Sequence, residues 1–318
     1  MRLFSFSSYR YGHQQGVALI TAMLVVAMAT VTVVAMMSQQ HRTIRRTGSM
    51  LYGDQAFELA LGVEAWAKGV LAKDFKGNQF DGRSDLWTKP LPQTVVRGGE
   101  IAGRIEDLQG RFNLNNLVQN GKVESKSVER FQRLLRVAGL DEGIAQAVVD
   151  WMDSDSEVRF PNGAEDDYYQ QQHPPYLTAN RRMERVSELR MIKGVDSKVY
   201  EKLYPHLSAL PEATAINVNS ATALVLSSLN EGLDIERISE LNKRTRETPW
   251  KSLDAFQQEP EIGSFNLDNK VVTVKSSYFN VIAEVRQDYL MLSMRSRLQR
   301  TAEGGISVLS RVRRGSDE

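Results

Sequence analysis

The chain has 318 residues, of which 42% are hydrophobic, and it contains no cysteine. Without cysteine it can form neither a disulfide bond nor a thiolate metal site. Its 40 Lys and Arg nearly balance its 39 Asp and Glu, giving a formal net charge of +1, which favours neither a nucleic-acid-binding protein nor a protein held to membranes by a polybasic surface.

The first predicted element is an apolar run over 17–37 that contains no charged residue, no Pro and no Gly. A helix of this length, at about 1.5 Å per residue, matches a hydrocarbon core about 30 Å thick, so the run predicts one transmembrane helix. A short polar leader, residues 1–16, precedes it and ends in Gly16. A secretory signal peptide has its small-residue cleavage site after the apolar run, and none follows Met37.

A leader that ends in Gly directly before an apolar helix resembles the class III signal of type IV pilins and type II secretion pseudopilins. This resemblance implies that a prepilin peptidase cleaves between Gly16 and Val17 and that Val17 becomes a methylated N-terminus. An uncleaved signal anchor is the alternative. The fifth mature residue is Thr21, where most of these proteins have Glu. In lacking this Glu, the chain resembles one member of the family, the minor pseudopilin K of type II secretion.

Beyond the membrane run, the helix is predicted to continue as a stalk to about Leu71. Apolar residues recur along it at spacings of three and four, the pattern of a helix packed on a sheet. These residues are Tyr52, Ala56, Leu59, Val63, Trp66 and Val70.

Charge does not fix the orientation of the transmembrane helix. The leader contains Arg2 and Arg10, whereas the other flank contains Arg42, Arg45 and Arg46. The resemblance to pilins implies a leader in the cytoplasm of a bacterial cell, a single pass through the inner membrane, and a globular part in the periplasm.

Strand patterns occur early and late in the globular part. Residues 94–107 predict two strands around Gly98-Gly99, and residues 271–285 and 293–312 predict further strands. The long helical stretch between them indicates an insertion into a small sheet. We therefore predict an α+β fold, in which a pilin-like long N-terminal helix packs on a small antiparallel sheet that contains a large all-helical insertion. The predicted segments are the leader (1–16), the transmembrane helix (17–37), the stalk helix with the first part of the sheet (38–112), the inserted helical domain (113–265) and the rest of the sheet with the C-terminus (266–318).

Two stretches of the insertion resemble helix-hairpin-helix units. In 188–207 the turn 192–195 joins two short helices, with Gly194 allowing a tight bend, and a second unit begins within 216–229 with Asn219 or Ser220 as its N-cap. Such units bind DNA phosphates in other proteins, so a membrane-anchored DNA-binding or DNA-uptake protein is the alternative function. Residues 113–263 contain 18 Lys and Arg against 24 Asp and Glu, and because DNA repels a net acidic domain we expect no nucleic-acid binding.

An acidic segment over 148–169 contains the highest concentration of candidate ligand side chains in the chain. Its only basic residue is Arg159. Its carboxylates are Asp150, Asp153, Asp155, Glu157, Glu165, Asp166 and Asp167. Oxygen ligands without Cys favour a hard cation such as Ca²⁺, which accepts about 6–8 ligands from flexible loops. The spacing is not that of an EF-hand, and a solvated acidic loop without an ion is the alternative.

The stretches DWMDSD and GAEDDYY resemble the calcium-binding segment of pseudopilin K. This resemblance implies a site for one or two Ca²⁺ ions, with ligands drawn from Asp150, Asp153, Asp155, Glu165, Asp166 and Asp167. The sequence has no Gly-x-Ser-x-Gly elbow or phosphate loop, and its His residues lack metal-ligand spacing. We expect no enzyme activity; a membrane-anchored hydrolase using the acidic loop is the alternative.

Over its whole length the chain resembles the minor pseudopilin K of the type II secretion system. The resemblance implies a subunit at the tip of the pseudopilus that assists its assembly for protein export across the outer membrane. Its implied partners are the I-type and J-type minor pseudopilins, the major pseudopilin and the prepilin peptidase. Thr21 offers no carboxylate to the N-terminal amine of an incoming subunit. The bulky insertion above the sheet should also hinder the addition of a further subunit. We therefore expect this subunit to block further growth of the pseudopilus.

Overall fold

A computed structural model of the chain describes residues 15–265, 267–288 and 290–315. Most of the predicted leader, residues 1–14, therefore lies outside the described residues. The chain divides between Gln55 and Ala56 into two compact units, and each unit is considered by itself.

Helix α1 runs from Gln15 to Gly77 and confirms the predicted long N-terminal helix. It is long and apolar enough to cross a membrane, with a mean hydropathy of 2.6 over its most apolar part. The hydroxyls of Thr30 and Thr32 donate to carbonyls one turn back at 2.8 Å. Thr21 Oγ1 does the same to the Val17 carbonyl at 3.0 Å. Each hydroxyl is thus satisfied within the helix, at low cost in a membrane.

In chain order the strands of the second unit are β1 (Leu91–Val96), β2 (Gly99–Asp107), β3 (Phe112–Asn113), β4 (Val118–Gln119), β5 (Lys122–Val123), β6 (Leu207–Ser208), β7 (Ile216–Asn217), β8 (Val272–Thr273), β9 (Tyr278–Gln287), β10 (Leu290–Arg300) and β11 (Ile306–Gly315). Five of them form the main antiparallel sheet, with the order β1-β2-β9-β10-β11. The chain leaves the sheet after β2 and returns in β9, where Phe279 pairs with Asp107. Both predicted strand regions therefore form one sheet.

One face of this sheet packs on the second half of α1. The buried residues of the helix are Ala56, Ala60, Val63, Ala67 and Leu71, and they cluster with apolar residues of β2, β9 and β10. Their spacings of three and four confirm a helix packed on a sheet, while Leu59, Trp66 and Val70 lie at the margin of the contact. Gly103 permits the close approach, since a Cβ there would lie 2.4 Å from Val63 Cγ1.

The region between β2 and β9 has its own hydrophobic core, which includes Phe112, Phe131, Tyr169 and Phe256. Its helices are α2 (Ser125–Val137), α3 (Ile144–Met152), α4 (Asp166–Tyr169), α5 (Ser197–Leu203), α6 (Ala223–Ser227), α7 (Ile235–Arg244) and α8 (Leu253–Gln257). The fold class is as predicted, with one difference: three short strand pairs, β3–β6, β4–β5 and β7–β8, interrupt the helices. A two-residue strand is too short to show a period. The predicted domain boundaries stay predictions.

The predicted N-cap of the second hairpin unit is wrong. Helix α6 is capped by Thr222, whose Oγ1 accepts a hydrogen bond from the Val225 N–H at 3.4 Å. Asn219 is instead buried, where its side chain donates to the Trp250 carbonyl and accepts from the Trp250 N–H. Because β7 pairs with β8 just before these residues, the chain stays extended and the helix begins later than predicted.

Glu64 joins α1 to the far edge of the sheet and is 2% exposed. Its carboxylate accepts hydrogen bonds from Arg311 Nε and Nη2 at 2.7 and 2.9 Å, and from Ser296 Oγ at 2.7 Å. Lys68 Nζ lies 2.9 Å away. Burial raises the pKa of Glu64, but the hydrogen bonds from Arg311, Lys68 and Ser296 outweigh it and lower the pKa to about 2.

Replacing Glu64 with Gln should lower the free energy of unfolding by about 2–4 kcal/mol at pH 7, because it removes the charge that Arg311 and Lys68 face. The pKa is lowered in the folded state, so this stabilisation is complete above the ordinary value of 4.5 and is lost as the pH falls towards about 2. Urea denaturation in detergent at pH 7 and pH 3 measures both effects. Lys68→Gln is the control and should cost less than about 1 kcal/mol, because Lys68 is partly exposed. Equal losses for the two variants, or a loss for Glu64→Gln that does not shrink at pH 3, would contradict this explanation.

Candidate metal centre

The acidic segment folds across the C-terminal end of α3. Asp150 lies in the last turn of α3 and Asp153 is the C-cap residue, and both are buried, with exposures of 0% and 1%. Glu165 directly precedes α4 and is also buried, at 4% exposure. Asp155 lies in the exposed bend after α3. The two helix ends thus bring four carboxylates to one end of the helical core.

Three of these carboxylates face a common point. Asp153, Asp155 and Glu165 each place one oxygen within 4.8 Å of the others. Asp153 Oδ1 and both Glu165 oxygens are buried, and none accepts a hydrogen bond from a described residue. Buried polar atoms are normally paired because leaving them unpaired is costly. Unpaired, converging carboxylate oxygens fit a hard cation such as Ca²⁺.

Asp150 lies beside this group but already has a cationic partner. Its Oδ2 accepts the Arg159 backbone N–H at 3.0 Å, and its Oδ1 lies 3.3 Å from Arg159 Nε. The same guanidinium donates from Nη2 to Asp153 Oδ2 at 2.9 Å. One guanidinium therefore faces two of the four carboxylates, and Asp155 and Glu165 have no cation among the described ion pairs.

Burial and, after it, the crowding of like charges change the acidity of these groups. Burial raises the pKa of Asp150 and of Asp153, and Arg159 only partly opposes it. Burial, followed by the negative charges of Asp150 and Asp153, raises the pKa of Glu165 to about 7. These shifts express the cost of collecting carboxylates without enough positive charge, and a bound cation would reverse them by favouring the ionised forms.

Besides Asp150, two further predicted ligands do not join the converging group. Asp166 Oδ1 accepts hydrogen bonds from the Thr178 hydroxyl and backbone N–H at 2.6 and 2.9 Å, which lower the pKa of Asp166. Asp167 is exposed on α4. Consecutive residues of a helical turn point in different directions. The three adjacent acidic residues at 165–167 therefore lie in three different environments. The ligand set stays a prediction, and Asp153, Asp155 and Glu165 have the best geometric support.

Gly163 and Lys193 complete the loop, although neither is among the predicted site residues. A Cβ at Gly163 would lie 2.1 Å from Asp150 Oδ2, so any side chain there would displace that carboxylate. Lys193 Nζ donates to the Gly163 carbonyl at 3.0 Å and lies 5.2 Å from the centre of the Tyr168 ring. The contact is between residues distant in sequence, so no local pattern predicts it.

The predicted hairpin at 188–207 has the expected turn. A 3₁₀ segment, Val186–Met191, precedes the turn, Gly194 has φ +83°, and Asp196 caps α5 by accepting the Val199 N–H at 2.8 Å. Because Lys193 in this turn donates to the Gly163 carbonyl of the acidic loop, its ammonium group contacts the protein itself instead of being presented to a phosphate.

Comparisons with known proteins identify relatives along the chain. Residues 110–212 and 216–275 match two family models, each described as type II secretion system (T2SS), protein K. The chain is similar to the type II secretion system protein K of Pseudomonas aeruginosa, with 38% identity over 94% of this chain and 92% of that protein. It is also similar to the protein of that name from Pectobacterium carotovorum subsp. carotovorum, with 36% identity over 86% of this chain and 88% of that protein. A chain from the crystal structure of the GspK-GspI-GspJ complex of the enterotoxigenic Escherichia coli type 2 secretion system matches with a TM-score of 0.74 and 25% identity, covering 85% of this chain and 100% of that chain.

Proposed function

Because the chain belongs to the type II secretion system protein K family, we propose that this minor pseudopilin forms the tip of the periplasmic pseudopilus and assists its assembly for protein export across the outer membrane. The observation that carries the proposal is the likeness, over 85% of the chain, to a chain of the GspK-GspI-GspJ complex. We infer the same kind of partners here, namely I-type and J-type minor pseudopilins, with the major pseudopilin below them. By its family the chain is a structural component of the secretion system, and no catalytic role is proposed.

Helix α1 supplies the membrane anchor of this subunit. The globular part then lies in the periplasm and the leader in the cytoplasm, where the prepilin peptidase cuts between Gly16 and Val17 and Val17 is methylated. Gly16 supports this proposal, since a peptidase needs access to the bond. Among the described residues, no heavy atom beyond its chain neighbours and the nearby backbone of its own helix lies within 4 Å of a Cβ built there.

Calcium binding by the acidic loop is a second part of the proposal. Asp153, Asp155 and Glu165 would hold the ion, while Arg159 keeps Asp150 and Asp153 in position. The ion would supply the positive charge that this cluster lacks, joining the end of α3 to the start of α4. The buried oxygens of Asp153 and Glu165 that have no hydrogen-bond partner support this part.

Co-extraction of the full chain with its proposed partners tests the tip assignment. When the chain is expressed with I-type and J-type pseudopilins, pull-down on the J-type protein in mild detergent should retain all three proteins through gel filtration. In the control, the major pseudopilin replaces the J-type protein as the bait of the pull-down, and it should retain less of the chain. A chain that elutes alone, while the I-type and J-type proteins stay together, would contradict the proposal.

The DNA-uptake alternative lacks support from the family and from the geometry of the hairpin turn. Lys193 is bound within the protein, and residues 113–263 have an excess of acidic residues. Phosphate neutralisation supplies most non-specific affinity for DNA, so this surface is unsuited to it.

A further inference from the structure

A group of basic residues lies just beyond the apolar run of α1, and we call it the collar: His41, Arg42, Arg45 and Arg46. All four residues are exposed on the helix. The sequence contains no Asp or Glu before Asp54, so no carboxylate occurs at the helical spacings of three or four where it could pair with the collar. Within the described part of the chain, Arg42 donates to Ser38 Oγ at 3.3 Å, and no ion pair involves a collar residue.

Helix geometry sets the depth and direction of the collar. Arg42, Arg45 and Arg46 lie on one side of α1 and span about one turn. Arg42 is five residues beyond Met37, about 7.5 Å along the axis, whereas each headgroup layer is about 5–8 Å thick. Because Cα–Cβ bonds tilt towards the N-terminus of a helix, the arginine side chains lean back towards the membrane. Their guanidinium groups therefore reach the level of lipid phosphates.

We propose that the collar binds the phosphate groups of anionic phospholipids, of which phosphatidylglycerol is the test case, in the leaflet where α1 leaves the membrane. Guanidinium groups bind phosphate oxygens through paired N–H donors, and each arginine near an anionic surface adds to the attraction. This inference rests on the proposed membrane placement of α1, but not on tip assembly or calcium.

Charge asymmetry favours lipid phosphate as the occupant. The cytoplasmic leader has only Arg2 and Arg10, so the collar runs against the usual excess of positive charge on the cytoplasmic side. Anionic headgroups supply the compensating charge on the collar's own side of the membrane, within the reach of its side chains.

Lipid enrichment around the full chain tests the proposal. Since the chain has no cysteine, Ser49→Cys gives a single donor label beside the collar, and the labelled protein is reconstituted in phosphatidylcholine nanodiscs with traces of acceptor-labelled lipid. We expect at least about fivefold enrichment of a phosphatidylglycerol tracer over a phosphatidylcholine tracer, the effect of about one engaged arginine. The enrichment should fall in 1 M salt, where the Debye length is about 3 Å.

Three variants separate lipid binding from other causes. Arg42→Gln, Arg45→Gln and Arg46→Gln together should abolish the enrichment, whereas the corresponding triple Lys variant should keep most of it. The matched control neutralises Arg237, Arg246 and Lys251, which are exposed residues of the helical region, and should leave the enrichment unchanged.

Several results would overturn the proposal. Equal transfer to both tracers in the wild type, or equal loss in the collar variant and the control, would show that the collar does not select anionic lipid. Loss of the phosphatidylglycerol enrichment on adding 10 mM inorganic phosphate, at about unchanged ionic strength, would show that the collar is a site for free phosphate instead. Enrichment of acidic partner subunits without lipid selectivity would show a protein interface. Failure of the wild type to enter nanodiscs would overturn the membrane placement, and the collar proposal with it.

Discussion

Glu165→Gln should abolish the rise in Tm that Ca²⁺ gives the full chain in detergent. Both oxygens of Glu165 are buried and accept no hydrogen bond from a described residue, and one of them faces Asp153 and Asp155. An ion that binds only the folded state stabilises it by about 2.7 kcal/mol at 100 times its Kd, which for a chain of this size is a shift of about 4–5 °C. Thermal melts with Ca²⁺ and with chelator measure the shift for wild type and variant.

The same variant has a second expected effect that a disrupted fold would not produce. In chelator, Glu165→Gln should melt at or above the wild-type temperature, because the neutral amide removes repulsion by Asp150 and Asp153. Asp167→Asn is the matched control, since Asp167 is an exposed carboxylate outside the converging group, and it should keep the full Ca²⁺ shift. A wild-type Tm that chelator does not change would instead support the solvated acidic loop.

Replacing residues 108–278 by a two-residue Asn-Gly turn should lengthen pseudopili, if the bulk of that region blocks further subunits. The register makes the deletion possible: Asp107 of β2 pairs with Phe279 of β9, so a two-residue hairpin loop can join the strands. Filament lengths counted by electron microscopy, with circular dichroism to check folding, measure the effect.

Thr21→Glu tests the other proposed cause of capping, with little change to the rest of the molecule. Thr21 now satisfies its hydroxyl on the Val17 carbonyl, whereas Glu would need an amine or a proton in the membrane. If the missing carboxylate ends the filament, this variant should lengthen pseudopili while the deletion variant does not. Thr21→Val is the control, because it removes the hydroxyl without adding a charge. Wild-type lengths in all variants would show that neither feature acts as a cap.

Periodicity is the reason that the stalk and the sheet were predictable. Helix α1 packs through residues spaced three and four apart, and the strands β2, β9 and β10 are long enough to show alternation. The order of the patterns, with strands early and late and a long helical stretch between them, also predicted the insertion of one helical region into the sheet. The short pairs β3–β6 and β7–β8 join residues far apart in the chain, and no local pattern encodes such partners.

The acidic loop was predictable in composition but not in geometry. The sequence identified Asp150 and Asp153 as candidate ligands, and both are buried at the end of α3. The sequence could not show that Arg159 pairs with these two carboxylates. Nor could it show that Asp166 accepts a hydrogen bond from Thr178 and so lies outside the converging group. Those partners are set by tertiary contacts, which decide which of several adjacent carboxylates remain free to bind an ion.

Intact-mass analysis of the full chain, extracted from membranes of cells that contain the prepilin peptidase, tests the central claim that this is a processed pseudopilin. Cleavage after Gly16 predicts a protein that begins at Val17 and has one added methyl group, and Gly16→Leu, as the control, predicts an unprocessed chain. A wild-type chain that keeps Met1, or one cut beyond Met37, would contradict the account.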